Sequence, residues 1–82
     1  MCRVLLFGRL RDLAGWRDRH IEPTPSTLAD LRAQLLAEDA ALGEALAQPS
    51  VRVAVDRAIV QGEAAKLVKT SEVAFMPPMS GG

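Results

Sequence analysis

The segment Glu72-Val73-Ala74-Phe75-Met76-Pro77-Pro78-Met79-Ser80-Gly81-Gly82 decides how this chain is read. Glu72 to Met76 reads as a strand. Pro77 and Pro78 lack N–H groups and have a fixed φ, so they end the strand and stiffen the exit in an extended form. Phe75, Met76 and Met79 are apolar where a disordered tail is normally polar. Gly81 and Gly82 have no side chain to pack and lose the most backbone freedom on ordering. The whole reads as an arm held off a domain, thin enough at its tip to enter a narrow channel. Its one reactive group is the α-carboxylate of Gly82, which has no bulk around it and can be activated and handed between enzymes. The plain alternative is a loose chain end. No tag or fusion scar is visible.

Working back from the arm, the rest divides into short elements. Cys2 to Phe7 reads as a first strand. Its Val4-Leu5-Leu6-Phe7 run is apolar on both alternating faces, so an interior strand covered in part on both sides is expected. Gly8 ends it. Leu10, Leu13 and Ala14 recur at helical spacing, which predicts a short helical turn over Arg9 to Ala14 with Gly15 at C′. Trp16 to Glu22 is mostly polar with Ile21 as anchor, and reads as an edge strand. Thr27 opens the main helix: Thr27-x-x-Asp30 places a capping hydroxyl and an acid in the first turn. Leu28, Leu31, Leu35 and Leu36 form its apolar stripe, with Arg32, Gln34, Glu38 and Asp39 on other faces. A second helical piece is read over Ala40 to Ala47, weakened by Gly43 and stopped by Pro49. Val51 to Val55 alternates as a strand, Asp56-Arg57 makes a turn, and Ala58 to Val60 returns. Gln61 to Ser71 is a loop anchored by Leu67 and Val68. One helix can cover only one face of such a sheet, so a two-layer α+β domain is expected over residues 1–76, with a flexible arm over 77–82.

Composition excludes several classes. The chain has 82 residues, ten basic and ten acidic, and formal net charge zero with His20 neutral. That is one domain, burying only about 60–65 % of its unfolded surface. Because 49 % of its residues are hydrophobic, one core without staples is feasible. Balanced charge gives no electrostatic case for nucleic acid or an anionic membrane. The longest apolar run, Val4 to Phe7, is far short of a transmembrane helix or a signal sequence. A single cysteine, Cys2, offers no disulfide framework and suits a reducing cytosol.

Three segments carry a resemblance. The first is Val4-Leu5-Leu6-Phe7-Gly8-Arg9-Leu10-Arg11-Asp12-Leu13-Ala14-Gly15, which holds a Phe-x-x-x-Arg-x-Leu-x-Gly element. The second is Thr27-Leu28-x-x-Leu31-Arg32 with Val53-Ala54-Val55-Asp56 and Ile59-Val60. The third is Glu72 to Gly82. Together they resemble the ubiquitin-like β-grasp family, and most specifically the small subunits of molybdopterin synthase, which are sulfur carriers in molybdenum cofactor synthesis. The chain departs from that pattern at Lys69-Thr70-Ser71-Glu72, where the family often has Asp-Gly-Asp-Glu. The resemblance implies a mixed sheet of four to five strands packed on one main helix. It implies that an ATP-dependent, E1-like activating enzyme adenylates Gly82, and that a persulfide sulfur donor then leaves a thiocarboxylate there. The tail would next enter the large synthase subunit and give its sulfur to a pyranopterin precursor. Phe75, Met76, Pro77, Pro78, Met79, Ser80 and Gly81 would be the partner-binding tail. A cytoplasmic location is expected from the lone cysteine.

The other conspicuous residues read blandly. Cys2 is a small apolar residue at a strand start rather than a sulfur-carrying thiol. His20 has no second ligand at metal spacing, and no metal site is expected. Trp16 reads as a packing or edge residue. Arg9, Arg11, Arg57, Lys66 and Lys69 read as solvated, although the arginines could face a partner. There is no G-x-x-x-x-G-K loop, so the chain is expected to bind no cofactor and ATP belongs to the activating partner. Three rivals stand beside the main reading. One is a sulfur carrier for thiamine thiazole synthesis and another a protein-modifying relative, against both of which the Phe-x-Pro-Pro-x-Ser-Gly-Gly pattern speaks. The third is a ubiquitin-like binding module with an inert tail.

Overall fold

The computed structural model describes residues 2–78. In chain order the elements are β1 (Cys2–Leu6), α1 (Arg9–Ala14), β2 (Asp18–Ile21), α2 (Leu28–Glu38), α3 (Ala40–Leu46), β3 (Arg52–Val55), β4 (Ala58–Val60) and β5 (Glu72–Met76). The five strands form one sheet in the order β2-β1-β5-β3-β4. β1 and β5 run parallel, while β1–β2, β3–β4 and β3–β5 are antiparallel. The expected mixed sheet under one main helix is therefore present, at the upper strand number.

Local chemistry explains the boundaries. Gly15 closes α1 at φ 83°, the left-handed conformation its C′ reading requires. Thr27 caps α2 through its hydroxyl, which accepts from the Asp30 N–H at 3.2 Å. The following N–H groups find carbonyls in the long loop: Leu28 donates to Ala65 (2.9 Å) and Ala29 to Glu63 (3.1 Å). The loop thus satisfies donors that a helix start leaves orphaned. Asp39 stands between α2 and α3 in an extended conformation, and its carboxylate accepts from Leu42 N–H at 3.1 Å. Asp56 and Arg57 both have positive φ, 50° and 71°, as a two-residue hairpin turn of the primed kind needs. Asp56 also ties that turn to β5, its carboxylate accepting from the Glu72 N–H at 2.9 Å.

The core lies between the sheet and the helices. Val4, Leu6, Ile21, Val53, Val73 and Phe75 from the sheet meet Leu10, Leu28, Leu31, Leu35, Leu42 and Leu46 from the helices. Cys2 is fully buried among them, and desolvation raises its thiol pKa. Four expectations need correction. The first strand is interior by pairing, but its outer face is open: Leu5 is half-buried and Phe7, beyond the strand end, is 47 % exposed. Leu36 does not join the buried stripe: it is 46 % exposed and lies beside Gly43 of α3 instead. Leu67 anchors the loop, whereas Val68 points to solvent at 60 % exposure. Gly43 is not merely a weak helix residue. A methyl group there would lie 2.5 Å from the Leu36 Cα, so the bare glycine is what lets α3 approach α2.

Two outcomes follow. Gly43→Ala gains about 1 kcal/mol of helix propensity, but overpacking against a backbone atom costs about 1–3 kcal/mol. The clash is with main chain that cannot swing away, so the variant should be net destabilised in denaturant unfolding. The second concerns acid. Arg3 holds Asp18 in a paired contact (2.6 and 3.0 Å), and Arg19 holds Glu38 at 2.6 Å. These hydrogen bonds keep both carboxyls below their ordinary range. Folded-state values below the unfolded ones mean that the stabilisation is present above the unfolded pKa and lost as pH falls through the folded values. The thermal midpoint should therefore fall on acidification below about pH 4, modestly because the pairs are exposed. Arg3→Gln should flatten the Asp18 part of that fall.

Candidate functional site

The site begins where β5 ends. β5 is the central strand, bonded to β1 on one side and β3 on the other. Its residues alternate, with Val73 and Phe75 buried against the helices and Glu72, Ala74 and Met76 half-buried on the outer face. The ladder with β1 continues one step past the strand, as the Phe7 N–H donates to the Phe75 carbonyl at 3.2 Å. Pro77 cannot donate, so the pairing stops there.

Phe75 was expected as a docking contact, and the structure corrects this. It is 0 % exposed, and the Arg32 guanidinium lies 5.4 Å from its ring centroid. Phe75 anchors the root of the arm in the core and has no surface to offer a partner. Met76, Pro77 and Pro78 are half-buried and present surface beside the exit. Met79, Ser80, Gly81 and Gly82 lie outside the described residues.

Sequence reasoning missed two parts of this end of the molecule. One is an apolar strip on the open sheet face. Leu5 is followed by Phe7, Ala74 lies between Leu5 and Ala54 in register, and Ala54 pairs with Ile59, which is 55 % exposed. Arg52 pairs with Met76 at the strip's upper edge, and Arg11 and Arg17 join Leu5 and Phe7 around a shallow depression of about 280 Å³. The signal lies in the strand alternation, whose apolar residues on both faces predict partial cover on both sides, where the structure covers one face and leaves the other open. The other is Arg32, placed on an outer helix face by periodicity. Its guanidinium instead donates to the Leu46 carbonyl at 2.6 Å and pairs with Glu63, the Nε–Oε1 distance being 2.9 Å. That pair is a charge contact without the alignment of a hydrogen bond, since Nε has no partner of good geometry. No local pattern in α2 marks this role.

The remaining candidates fall away from the site. His20 is exposed on the edge strand β2. Trp16 is partly buried against the core with the Arg19 guanidinium 5.0 Å from its ring. Arg9, Arg57, Lys66 and Lys69 are exposed. Among the described residues no group of three or more His, Cys, Asp or Glu side chains could hold a metal ion. Among those same residues no helix is long and apolar enough to cross a membrane.

Comparison with known proteins agrees with this geometry. The family model described as the ThiS family matches residues 4–82. No curated protein matches the chain. Among solved structures, SAMP1 from Haloferax volcanii superposes with a TM-score of 0.82 at 22 % identity, covering 99 % of this chain and 98 % of that one. A protein assigned as molybdopterin converting factor subunit 1 from Pyrococcus furiosus gives 0.78 at 24 % identity, covering 95 % and 97 %. CysO from Mycobacterium tuberculosis gives 0.78 at 21 % identity, covering 96 % and 100 %. At these identities the superpositions speak for the fold. The family match spans the first strand, the helix and the whole terminal arm, and the chain belongs to the ThiS family of ubiquitin-like sulfur carriers.

Proposed function

We propose that this chain is the sulfur-carrying small subunit of a molybdopterin synthase, with Gly82 as its only reacting residue. The observation that carries the reading is the tail root. A fully buried Phe75 fixes the origin of the arm between two ladders, and Pro77-Pro78 end the pairing ahead of the Gly-Gly in the sequence. The domain over residues 1–76 is a handle, and residues 77–82 are the part that enters other enzymes.

The chemistry follows from what a carboxylate lacks. It is a poor electrophile, so an ATP-using partner must first activate it. A Gly82 oxygen attacks the α-phosphorus, pyrophosphate leaves, and a mixed anhydride with AMP remains. A persulfide then displaces AMP, and a second thiol cleaves the new S–S bond, leaving a thiocarboxylate. In the large subunit that sulfur passes to the pyranopterin precursor and water restores the carboxylate. Glycine at both final positions keeps the tip free of any Cβ in two different channels. The apolar strip with Met76 and Arg52 beside the exit suits docking on a partner, as aromatic, apolar and arginine side chains do at interfaces. Cys2 is a poor rival for the sulfur, because its sulfur is buried and burial disfavours the reactive thiolate.

A chain extended by one residue past Gly82 has no free acyl group at that position. Adenylation, thiocarboxylate formation and precursor conversion should all stop, while the thermal midpoint stays unchanged. Intact mass and conversion in a system reconstituted with the activating enzyme, sulfur donor and large subunit check this. An untrimmed extended chain that still delivers sulfur sinks the proposal in favour of a binding module. A wild-type chain that loads sulfur but does not convert the pterin precursor leaves it a carrier with another destination. Gly82→Ala should impair loading more than it impairs docking. Cys2→Ala should leave sulfur delivery unchanged and lower stability by about 1 kcal/mol.

A further inference from the structure

The sequence marks Gly8 only as a strand terminator, yet it is in contact with the arm. It has φ 57° and ψ −137°, a conformation that L side chains rarely adopt. A methyl group built on it would lie 2.8 Å from the Pro77 Cγ, so the Pro77 ring rests on the bare Cα. Gly8 is itself held from two directions. Phe7 before it donates to the Phe75 carbonyl at 3.2 Å, and the Gly8 carbonyl accepts from the Arg11 N–H at 3.1 Å in the first turn of α1. Pro77 has no N–H with which to extend the ladder, so the ring contact is the constraint that the glycine adds at the first residue of the arm.

We infer that Gly8 is a positioning residue for the acyl transfer: it seats Pro77 and thereby sets the direction in which Gly82 is presented. The inference rests on the carrier reading above. A side chain at position 8 could not be avoided by rotating Pro77, because the ring is tied to its own backbone and φ is fixed. The backbone at Pro77 would have to move. Adjacent Cα atoms are ~3.8 Å apart, whereas the six residues from Pro77 to Gly82 reach up to ~20 Å past Met76. A shift of ~1 Å at Pro77 displaces by as much the origin from which that reach to the reacting carboxylate starts. Misplacement of a reacting group by ~1 Å can cost on the order of a hundredfold in rate. Docking by the sheet face would be unaffected, so the loss belongs in turnover rather than in affinity.

The test is a double-mutant cycle on Gly8→Ala and Pro77→Ala in steady-state adenylation by the activating enzyme, with thermal midpoints measured alongside. Gly8→Ala should lower kcat about tenfold or more with KM within about twofold of wild type. Pro77→Ala, which removes the ring, should lower kcat about threefold with an unchanged midpoint. Gly8→Ala is strained at φ 57° in either background, but its clash with the ring is then gone, so the double variant should lose less kcat than the product of the two single losses. Multiplicative losses in the double variant, or Gly8→Ala turning over like wild type, overturn the inference. Should Gly8→Ala not fold, Pro77→Ala decides alone, and unchanged kcat there also overturns it. A wild-type chain that is never adenylated overturns the carrier reading and this inference with it.

Discussion

The parallel pairing of β1 with β5 is the constraint on which the rest of the structure depends. It joins the first and last strands of the chain at the middle of the sheet, Arg3 opposite Glu72 and Leu6 opposite Phe75. A C-terminal strand placed at an edge would leave its end with one ladder and little burial. Here β5 is bonded on both sides and sends Val73 and Phe75 wholly into the core. The arm therefore starts from one of the most firmly held parts of the molecule. Such pairing closes a very long loop, whose entropy grows only slowly with length. It burdens folding speed more than stability.

The sheet is one-sided because the chain has helices enough for one face only. Everything large and apolar on the inner face meets α1, α2 or α3. On the outer face the strands still carry apolar residues, and small ones where strands lie in register: Ala54 opposite Ala74. The result is a low-relief apolar strip next to the exit of the arm, rimmed by arginines at its upper edge. The same sheet thus supplies a core on one side and an exposed apolar strip on the other. The period-two geometry of a strand is what permits both at once.

Neutral net charge conceals an uneven use of arginine. Arg3 bridges β2 and β5 through Asp18 and Glu72, and Arg19 joins β2 to Glu38 at the end of α2. These are exposed pairs and stabilise little. Arg32 differs because its stem and head are largely covered. It accepts the stray charge of Glu63, donates to a carbonyl at the end of α3 and faces the Phe75 ring. Only a planar guanidinium can do all three, so this position links the helical layer to the root of the arm in a way lysine could not.

The residues by themselves determined the elements whose signals are local. Gly15 at a left-handed C′, Thr27 as a cap, the Asp56-Arg57 turn, the span of β5 and the stop at Pro77 are each decided by a residue's own backbone preference or by a neighbour within four positions. The terminal Gly-Gly is likewise plain in the sequence. What only the tertiary structure decided is whatever depends on which face meets which. Leu5 and Phe7 were left uncovered, Leu36 and Val68 were turned outward, and Phe75 was taken into the core. Gly43 and Gly8 became sites of close approach, to Leu36 and to Pro77. Alternation reports that a strand has two faces but not how many layers will cover them. A glycine reports that a side chain is missing but not what comes to occupy its place. Those answers come from packing between segments far apart in the chain, and no local propensity carries them.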